Sequence, residues 1–310
     1  MYKKLILVTR KTRLQELVER FNTKSQAKFY IEHSGGDFAD YEREEEAYHR
    51  SLEVLRRSLE FEIPQQLVDR GLVPTFQFQK DDLVVALGQD GLVANTAKYV
   101  GNQPIVAVNP EPERFDGVLL PFAPDEARAA VARVMEAKAS IRETTLAEVT
   151  LNDGQRLRAF NDLFIGARSH VSAQYRIACN KKSEVQSSSG VLVSTGAGST
   201  GWVSSVFNMA AGVARFCGGT PGKAVRLPWE DRSLLYIVRE PFLSRHSQAT
   251  MVAGLLRPGE ELSLQSLMPS GGVIFSDGME ADFLNFNSGA SARVRAAEQR
   301  AHLVVAGEPK

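Results

Sequence analysis

Three short runs of uninterrupted apolar residues constrain this chain of 310 residues more than any other feature. Leu5-Ile6-Leu7-Val8, Leu83-Val84-Val85-Ala86-Leu87 and Ile105-Val106-Ala107-Val108 show no alternation with polar residues. A strand of that kind needs cover on both faces, the situation of a parallel sheet flanked by helices. Helical stretches lie between the runs. The pattern predicts a helix over Arg13 to Phe21, a second strand over Ala27 to Ile31, and a long helix from about Asp40 to Leu59. In that helix Asp40 is a candidate N-cap, and Tyr48, Leu52, Leu55 and Leu59 form the buried stripe. The acidic run Glu42 to Glu46 reads as a solvated face. A short helix is expected from Pro64, and another over Leu92 to Val100. Strands alternating with helices imply βαβ units.

From about Arg142 the pattern changes to short alternating runs separated by turn signals such as Asn152-Asp153-Gly154. This predicts a mostly antiparallel β-rich half, interrupted by one helix over Thr200 to Phe216, with last strands at Ala292 to Arg295 and Leu303 to Val305. The expected architecture is an α/β N-terminal domain with a parallel sheet (1–140) followed by a β-rich C-terminal domain (141–310).

Charge narrows the partners. The chain has 37 Lys+Arg against 37 Asp+Glu, so its formal net charge is zero. Nucleic acid or an anionic membrane as a bulk partner calls for a basic excess, and neither is expected. The balance leaves room for a local basic pocket. No run of 18 apolar residues is present, so no membrane span is expected. Cys179 and Cys217 are too few for a disulfide framework and read as reduced, half-buried thiols of a cytoplasmic protein. The five histidines are scattered without metal-ligand spacing, and no nucleophile-elbow sequence occurs. No metal site is expected from side chains.

Four stretches carry candidate chemistry. Gly88-Gln89-Asp90-Gly91 follows a buried strand and opens a helix, where ligands of open α/β sheets bind. Glycines there admit a phosphate to backbone amides, and an acid at the tip would serve as a general base. The same residues also fit a plain glycine-rich turn with an N-cap Asp. Ser194 to Trp202 joins a strand to a helix through small and hydroxyl residues. It fits an anion or ribose site with Trp202 stacking on a base, or a capped helix start with a core Trp. Asn161-Asp162 is an amide beside an acid at a strand junction, or a common turn. Asp277-Gly278 reads as a hairpin turn.

Taken in this order, the motifs resemble the NAD kinase family. That family has a Gly-Gly-Asp-Gly loop, an Asn-Glu pair, a Thr-Pro-Thr-Gly-Ser-Thr-Ala-Tyr stretch and an Asp-Gly hairpin. The matching stretches are Gly88 to Gly91, Asn161-Asp162, Thr195 to Trp202 and Asp277-Gly278. Val106 to Gly117, Phe164-Ile165-Gly166 and Ser187 to Gly190 are similar to the mitochondrial-type branch. The likeness covers roughly residues 80 to 290. It implies two domains with a site in the cleft between them, and transfer of the ATP γ-phosphate to the 2′-hydroxyl of the adenosine ribose of NAD. It implies Asp90 as the activating acid, Gly88 and Gly91 at the phosphate, and Asn161 and Asp162 holding the dinucleotide. Thr200, Gly201 and Trp202 fall around the adenine and its ribose. It further implies Mg²⁺ as cofactor and a homo-oligomer, dimer or tetramer. Arg114, Arg168, Lys181 and Lys182 are candidates for the transferring phosphate. Basic groups are then expected in the cleft, balanced by Glu42 to Glu46 outside it.

The sequence departs from the family pattern at Gln89, Asp162, Ala197 and Gly201-Trp202. A residue other than glycine at position 89 is costly if the backbone there requires positive φ. These changes keep open a kinase for another hydroxyl substrate (a sugar, nucleoside or lipid) and a non-catalytic dinucleotide-binding regulator.

Overall fold

The computed structural model describes residues 2–307, which form two compact units. One takes the chain up to Arg142 and again from His302; the other is Glu143–Ala301.

The first unit is built on its apolar runs. β1 (Lys4–Thr9) leads into α1 (Arg13–Phe21), α2 (Lys24–His33) and α3 (Phe38–Ser58). Then come β2 (Gln65–Asp69), a 3₁₀ turn (Arg70–Thr75), β3 (Asp82–Leu87), α4 (Asp90–Tyr99), β4 (Pro104–Val108) and α5 (Ala127–Met135). The strands pair in the order β2-β1-β3-β4, all parallel. Leu5, Leu7, Leu83, Val85 and Val106 pack against Tyr48 and Leu55 of α3 and Ala130, Val131 and Val134 of α5. By alternation Ile6, Val84 and Ala86 turn to the opposite face, where α4 packs on β3 and β4. Fully burying each such Leu, Ile or Val contributes roughly 1.5–3 kcal/mol.

Three local expectations are corrected here. Ala27 to Ile31 is part of helix α2, not a strand. Asn22, left-handed at φ 64°, turns the chain, and the Thr23 side chain caps the new helix. Ala27 and Ile31 are buried one turn apart while Phe29 between them is 62% exposed, which is helical and not strand alternation. The segment after Pro64 is the edge strand β2, because β1 offers it a free parallel edge: Leu5 to Thr9 pair with Gln65 to Asp69. The long helix begins at Phe38, with Asp37 as its N-cap accepting from the Ala39 amide.

The acidic run on α3 is also not wholly solvated. Glu44 lies on the same stripe as Tyr48 and is buried, ion-paired to Arg10 (3.0 Å) and to Arg13. The neighbouring Tyr48 hydroxyl accepts the Arg10 amide (2.9 Å) and donates to the Leu87 carbonyl (3.2 Å). Burial pushes its pKa up to about 12, so it stays a donor.

The second unit begins with β5 (Ile141–Leu151), β6 (Arg156–Ala159), β7 (Asp162–Ala167), β8 (Ala173–Cys179), β9 (Lys182–Ser188) and β10 (Val191–Ser194). After α6 (Trp202–Phe216) follow β11 (Leu234–Val238), β12 (Ala253–Leu256), β13 (Leu262–Ser266), β14 (Gly272–Ser276), β15 (Met279–Asn285) and β16 (Ser291–Val304). An antiparallel sheet runs β12-β11-β10-β7-β14-β15. Facing it, β13 pairs with β16 and β8, β8 with β9, and β5 with β6. Ile165, Val193 and Leu234 of the first meet Tyr175, Leu264 and Val294 of the second in one core. The two final strands of the sequence pattern are one continuous β16. Its end leaves the β-rich unit, with His302 and Leu303 pairing parallel to Pro104 and Ile105 of β4. Cys179 is half-buried, whereas Cys217, expected to be half-buried too, is exposed just past α6; both are free thiols.

Tyr48→Phe tests the α3–β1–β3 junction. Removing the hydroxyl leaves the Arg10 amide and the Leu87 carbonyl without that partner, at an expected cost of about 1–3 kcal/mol in urea unfolding.

Candidate functional site

In each unit a polar constellation gathers residues of the candidate motifs. In the first, β1, β3 and β4 end side by side, and their next residues are Arg10, Gly88 and Asn109. A cleft of about 500 Å³ opens there, lined by Arg10, Gly88 to Gly91, Asn109, Glu111, Arg114 and Gly117 among others. Asp90 stands in the first turn of α4, one step further into the helix than a loop tip. Its two oxygens accept the amides of Val118 (3.2 Å) and Leu119 (2.8 Å). That fixes the carboxylate and leaves it accepting capacity on each oxygen. Gln89, the departure from a glycine, sits at φ −108°, ψ 167°, an extended conformation open to any residue. The expected strain at Gln89 is therefore absent.

The opposite wall is Asn109 to Gly117. Asn109 closes it with its own side chain, accepting from the Glu111 amide (3.0 Å) and donating to the Phe115 carbonyl (2.7 Å). Arg114, one of the candidate phosphate residues, lines the cleft and pairs with Glu111 at 3.4 Å. Arg10 closes the near wall. Its Nη1 donates to the Lys11 carbonyl and its Nη2 to Glu44, and its buried Nε–H has no partner. Glu111 Oε1 is likewise buried without a partner. Each unmet buried group costs about 1–3 kcal/mol. Burial alone would raise the Glu44 carboxyl, but hydrogen bonds from Arg13 and Arg10 outweigh it and hold the pKa below the usual range.

The second constellation gathers three separate stretches. Asp277 and Gly278 form a two-residue hairpin with both φ positive (51° and 69°) between β14 and β15. The Asp277 carboxylate accepts the amides of Phe160 (2.9 Å), Asn161 (2.7 Å) and Asp162 (3.2 Å), and its own amide donates to the Asp162 carbonyl. The loop after β10 lies on the same junction. The Thr195 amide donates to the Asn161 carbonyl (2.9 Å), and its hydroxyl donates to the Phe160 carbonyl (2.6 Å). A Cβ on Gly198 would stand 2.2 Å from the Asn161 carbonyl oxygen, so only glycine fits. A 3₁₀ turn (Ala197–Thr200) precedes α6, which starts at Trp202 and not at Thr200. Thr200 and Gly201 are exposed. Trp202 is half-buried, stacked on Phe164 (5.7 Å, 12°) with the Arg239 guanidinium 5.3 Å from its ring. Asp162 is buried, and desolvation, helped by the nearby Asp277 charge, pushes its pKa up to about 7.

The expected residues thus fall into two groups. Gly88, Asp90, Gly91 and Arg114 share the first cleft. Asn161, Asp162 and the stretch 195–202 share the second constellation. The other three basic candidates belong to the second unit: Arg168 stacks on Phe283 at 4.2 Å, and Lys181 and Lys182 are exposed at a hairpin whose turn is Asn180-Lys181. Sequence reasoning missed Arg10, Glu44 and the anchoring role of Asp277. For Glu44 a signal existed, a charge on the apolar stripe of α3.

The fold defines a protein with an α/β unit, open at its strand ends, and a β-rich unit. Solved structures narrow this to one fold. The chain superposes on an NAD kinase from Archaeoglobus fulgidus in complex with ATP with a TM-score of 0.56 at 14% identity, covering 97% of this chain and 93% of that one. Against yeast NADH kinase complexed with NADH the TM-score is 0.58 at 16% identity, covering 99% and 84%. No family model matches the chain. In sequence it is 28% identical to the NAD kinase of Chlorobaculum tepidum over 137 residues, 43% of this chain and 46% of that protein. It is 34% identical to the NAD kinase of Chlorobium phaeobacteroides over 87 residues, 27% and 30% respectively. The chain thus spans less than half the length of these curated relatives. It has the NAD kinase fold and resembles the NAD kinase family in sequence.

The raised Asp162 pKa makes stability pH-dependent. An acid with a folded pKa near 7 and an unfolded one near 3.9 binds more protons folded than unfolded between those values. Stability therefore falls as pH rises from about 4 and levels off above about 7. Asp162→Asn should flatten that part of the profile in urea titrations between pH 5 and 8; an unchanged slope would place the titration elsewhere.

Proposed function

We propose that the protein transfers the γ-phosphate of ATP to the 2′-hydroxyl of the adenosine ribose of NAD, giving NADP and ADP. The observation that carries this reading is Asp90. It is a carboxylate fixed by two backbone amides at the carboxyl end of a parallel sheet, beside Gly88 and Gly91, in a chain with the NAD kinase fold. The hydroxyl oxygen attacks the γ-phosphorus, the bond to the β,γ-bridging oxygen breaks, and the hydroxyl proton passes to Asp90. Gly91 has nothing within 4 Å of where a Cβ would stand, so its face of the cleft is open to a phosphate.

Asn161 and Asp162 hold the dinucleotide in this reading. Their backbone is preset by Asp277, which reduces the reorganisation needed on binding. With a pKa near 7, Asp162 is in part protonated at neutral pH and then donates a hydrogen bond as well as accepting one. Trp202 contributes an aromatic surface already stiffened by Phe164 and Arg239. Among the described residues no group of three or more metal-ligating side chains occurs. Mg²⁺ is proposed to enter on the nucleotide phosphates, where it would supply charge neutralisation. A homo-oligomer is supported by the exposed apolar end of α6, where Met209, Val213 and the 92% exposed Phe216 lie uncovered.

The test is purified protein with ATP, Mg²⁺ and NAD, reading NADP with a specific dehydrogenase. NADP should form, and Asp90→Asn should lower kcat by about 10²–10⁴-fold. A folded wild-type protein that consumes ATP only with a sugar, nucleoside or lipid, or that binds NAD without consuming ATP, would overturn the reading.

A further inference from the structure

Among the cations lining the Gly88 to Gly91 cleft, Arg10 is the one whose chemistry is left incomplete. It leaves the end of β1, and its side chain is 9% exposed. Its Cδ lies 3.6 Å from where a Cβ on Gly88 would stand, so it borders the glycine loop directly. Of the five guanidinium N–H groups, one on Nη1 meets the Lys11 carbonyl and one on Nη2 meets Glu44. The Nε–H is buried and unpartnered. Across the glycines, α4 begins at Asp90 with no side-chain cap, which leaves its first amides without a side-chain acceptor, as a helix N-terminus open to an anion would be.

Arg10 and Arg13 share the buried carboxylate of Glu44. Arg114 is committed to Glu111 in the same cleft. The frame around Arg10 is rigid. Glu44 and the Tyr48 hydroxyl, one turn apart on α3, hold its guanidinium and its backbone amide respectively.

We propose that Arg10 is the phosphate-binding side chain of this cleft, and that Glu44 and Tyr48 are its positioning residues. The ligand class is a nucleotide polyphosphate, which rests on the kinase reading above. Arg10 presents a planar fork matched to two phosphate oxygens, which lysine cannot reproduce. The three-helix region α1–α3 thereby orients the cation that faces the glycine loop.

The probe is inorganic tripolyphosphate, binding to the full chain by calorimetry at low salt. Wild type should bind it. Arg10→Met should weaken binding at least tenfold, Arg10→Lys and Glu44→Gln several-fold, and the exposed Arg43→Ala should leave it unchanged. In the kinase assay Arg10→Lys should raise the KM for ATP more than it lowers kcat. Equal tripolyphosphate affinity in wild type and Arg10→Met overturns the proposal, as does no binding to wild type at millimolar probe. If Arg10→Met fails to fold, arginine Nε–H resonances of ¹⁵N-labelled wild type decide. A tripolyphosphate-dependent shift of the signal missing in Arg10→Lys supports the assignment, and its invariance overturns it. The two readings fail separately. A wild type that makes no NADP but binds tripolyphosphate through Arg10 sinks the NAD kinase reading alone. NADP formation with unaltered ATP kinetics in Arg10→Met sinks the role of Arg10 alone.

Discussion

The parallel strands β1, β3 and β4 are sealed on both faces, and the rest of the first unit follows from that. Their mid-strand side chains are buried on both faces, so a polar group placed there would be left without partners at a cost of a few kcal/mol. Polar chemistry is therefore pushed to the strand ends. At the carboxyl ends the chain places Arg10, Gly88-Gln89-Asp90-Gly91 and Asn109; helix α3 holds Arg10, and the loop after β4 holds Asp90 and Asn109. α3 seals one face with Tyr48 and Leu55 and supplies Glu44 to Arg10 from the same stripe. α4 packs on β3 and β4 and begins at Asp90.

The second unit solves a different problem. Its sheets are antiparallel, so its polar residues need no shared strand end. They are gathered by one carboxylate. Asp277 receives three consecutive amides from Phe160, Asn161 and Asp162, and Thr195 ties the loop after β10 to the same carbonyls. Three stretches far apart in sequence become one rigid patch. The same anchoring charge, added to burial, keeps Asp162 partly protonated near neutral pH.

Much of this was legible in the residues. The unbroken apolar runs gave the parallel strands, because only double-sided burial tolerates them. Asp277-Gly278 gave its hairpin, because two adjacent positive φ values suit that pair. The failures have equally local causes. Ala27 to Ile31 alternates like a strand, but Asn22 and Thr23 turn and cap the chain into a helix. β2 has no apolar signature because an edge strand buries little, and it exists because β1 has an edge to pair. Glu44 looks solvated within an acidic run, yet two arginines thirty or more residues earlier make its burial tolerable.

What the sequence determined by itself was the class of each half and the order of its motifs, since periodicity and turn chemistry act over a few residues. What only the tertiary structure decided was which charges face each other. The pairing of Glu44 with Arg10, the three amides on Asp277 and the unmet Nε–H of Arg10 are long-range facts. Desolvation and hydrogen bonding depend on what the fold places within about 3 Å, and spacing along the chain does not encode that distance.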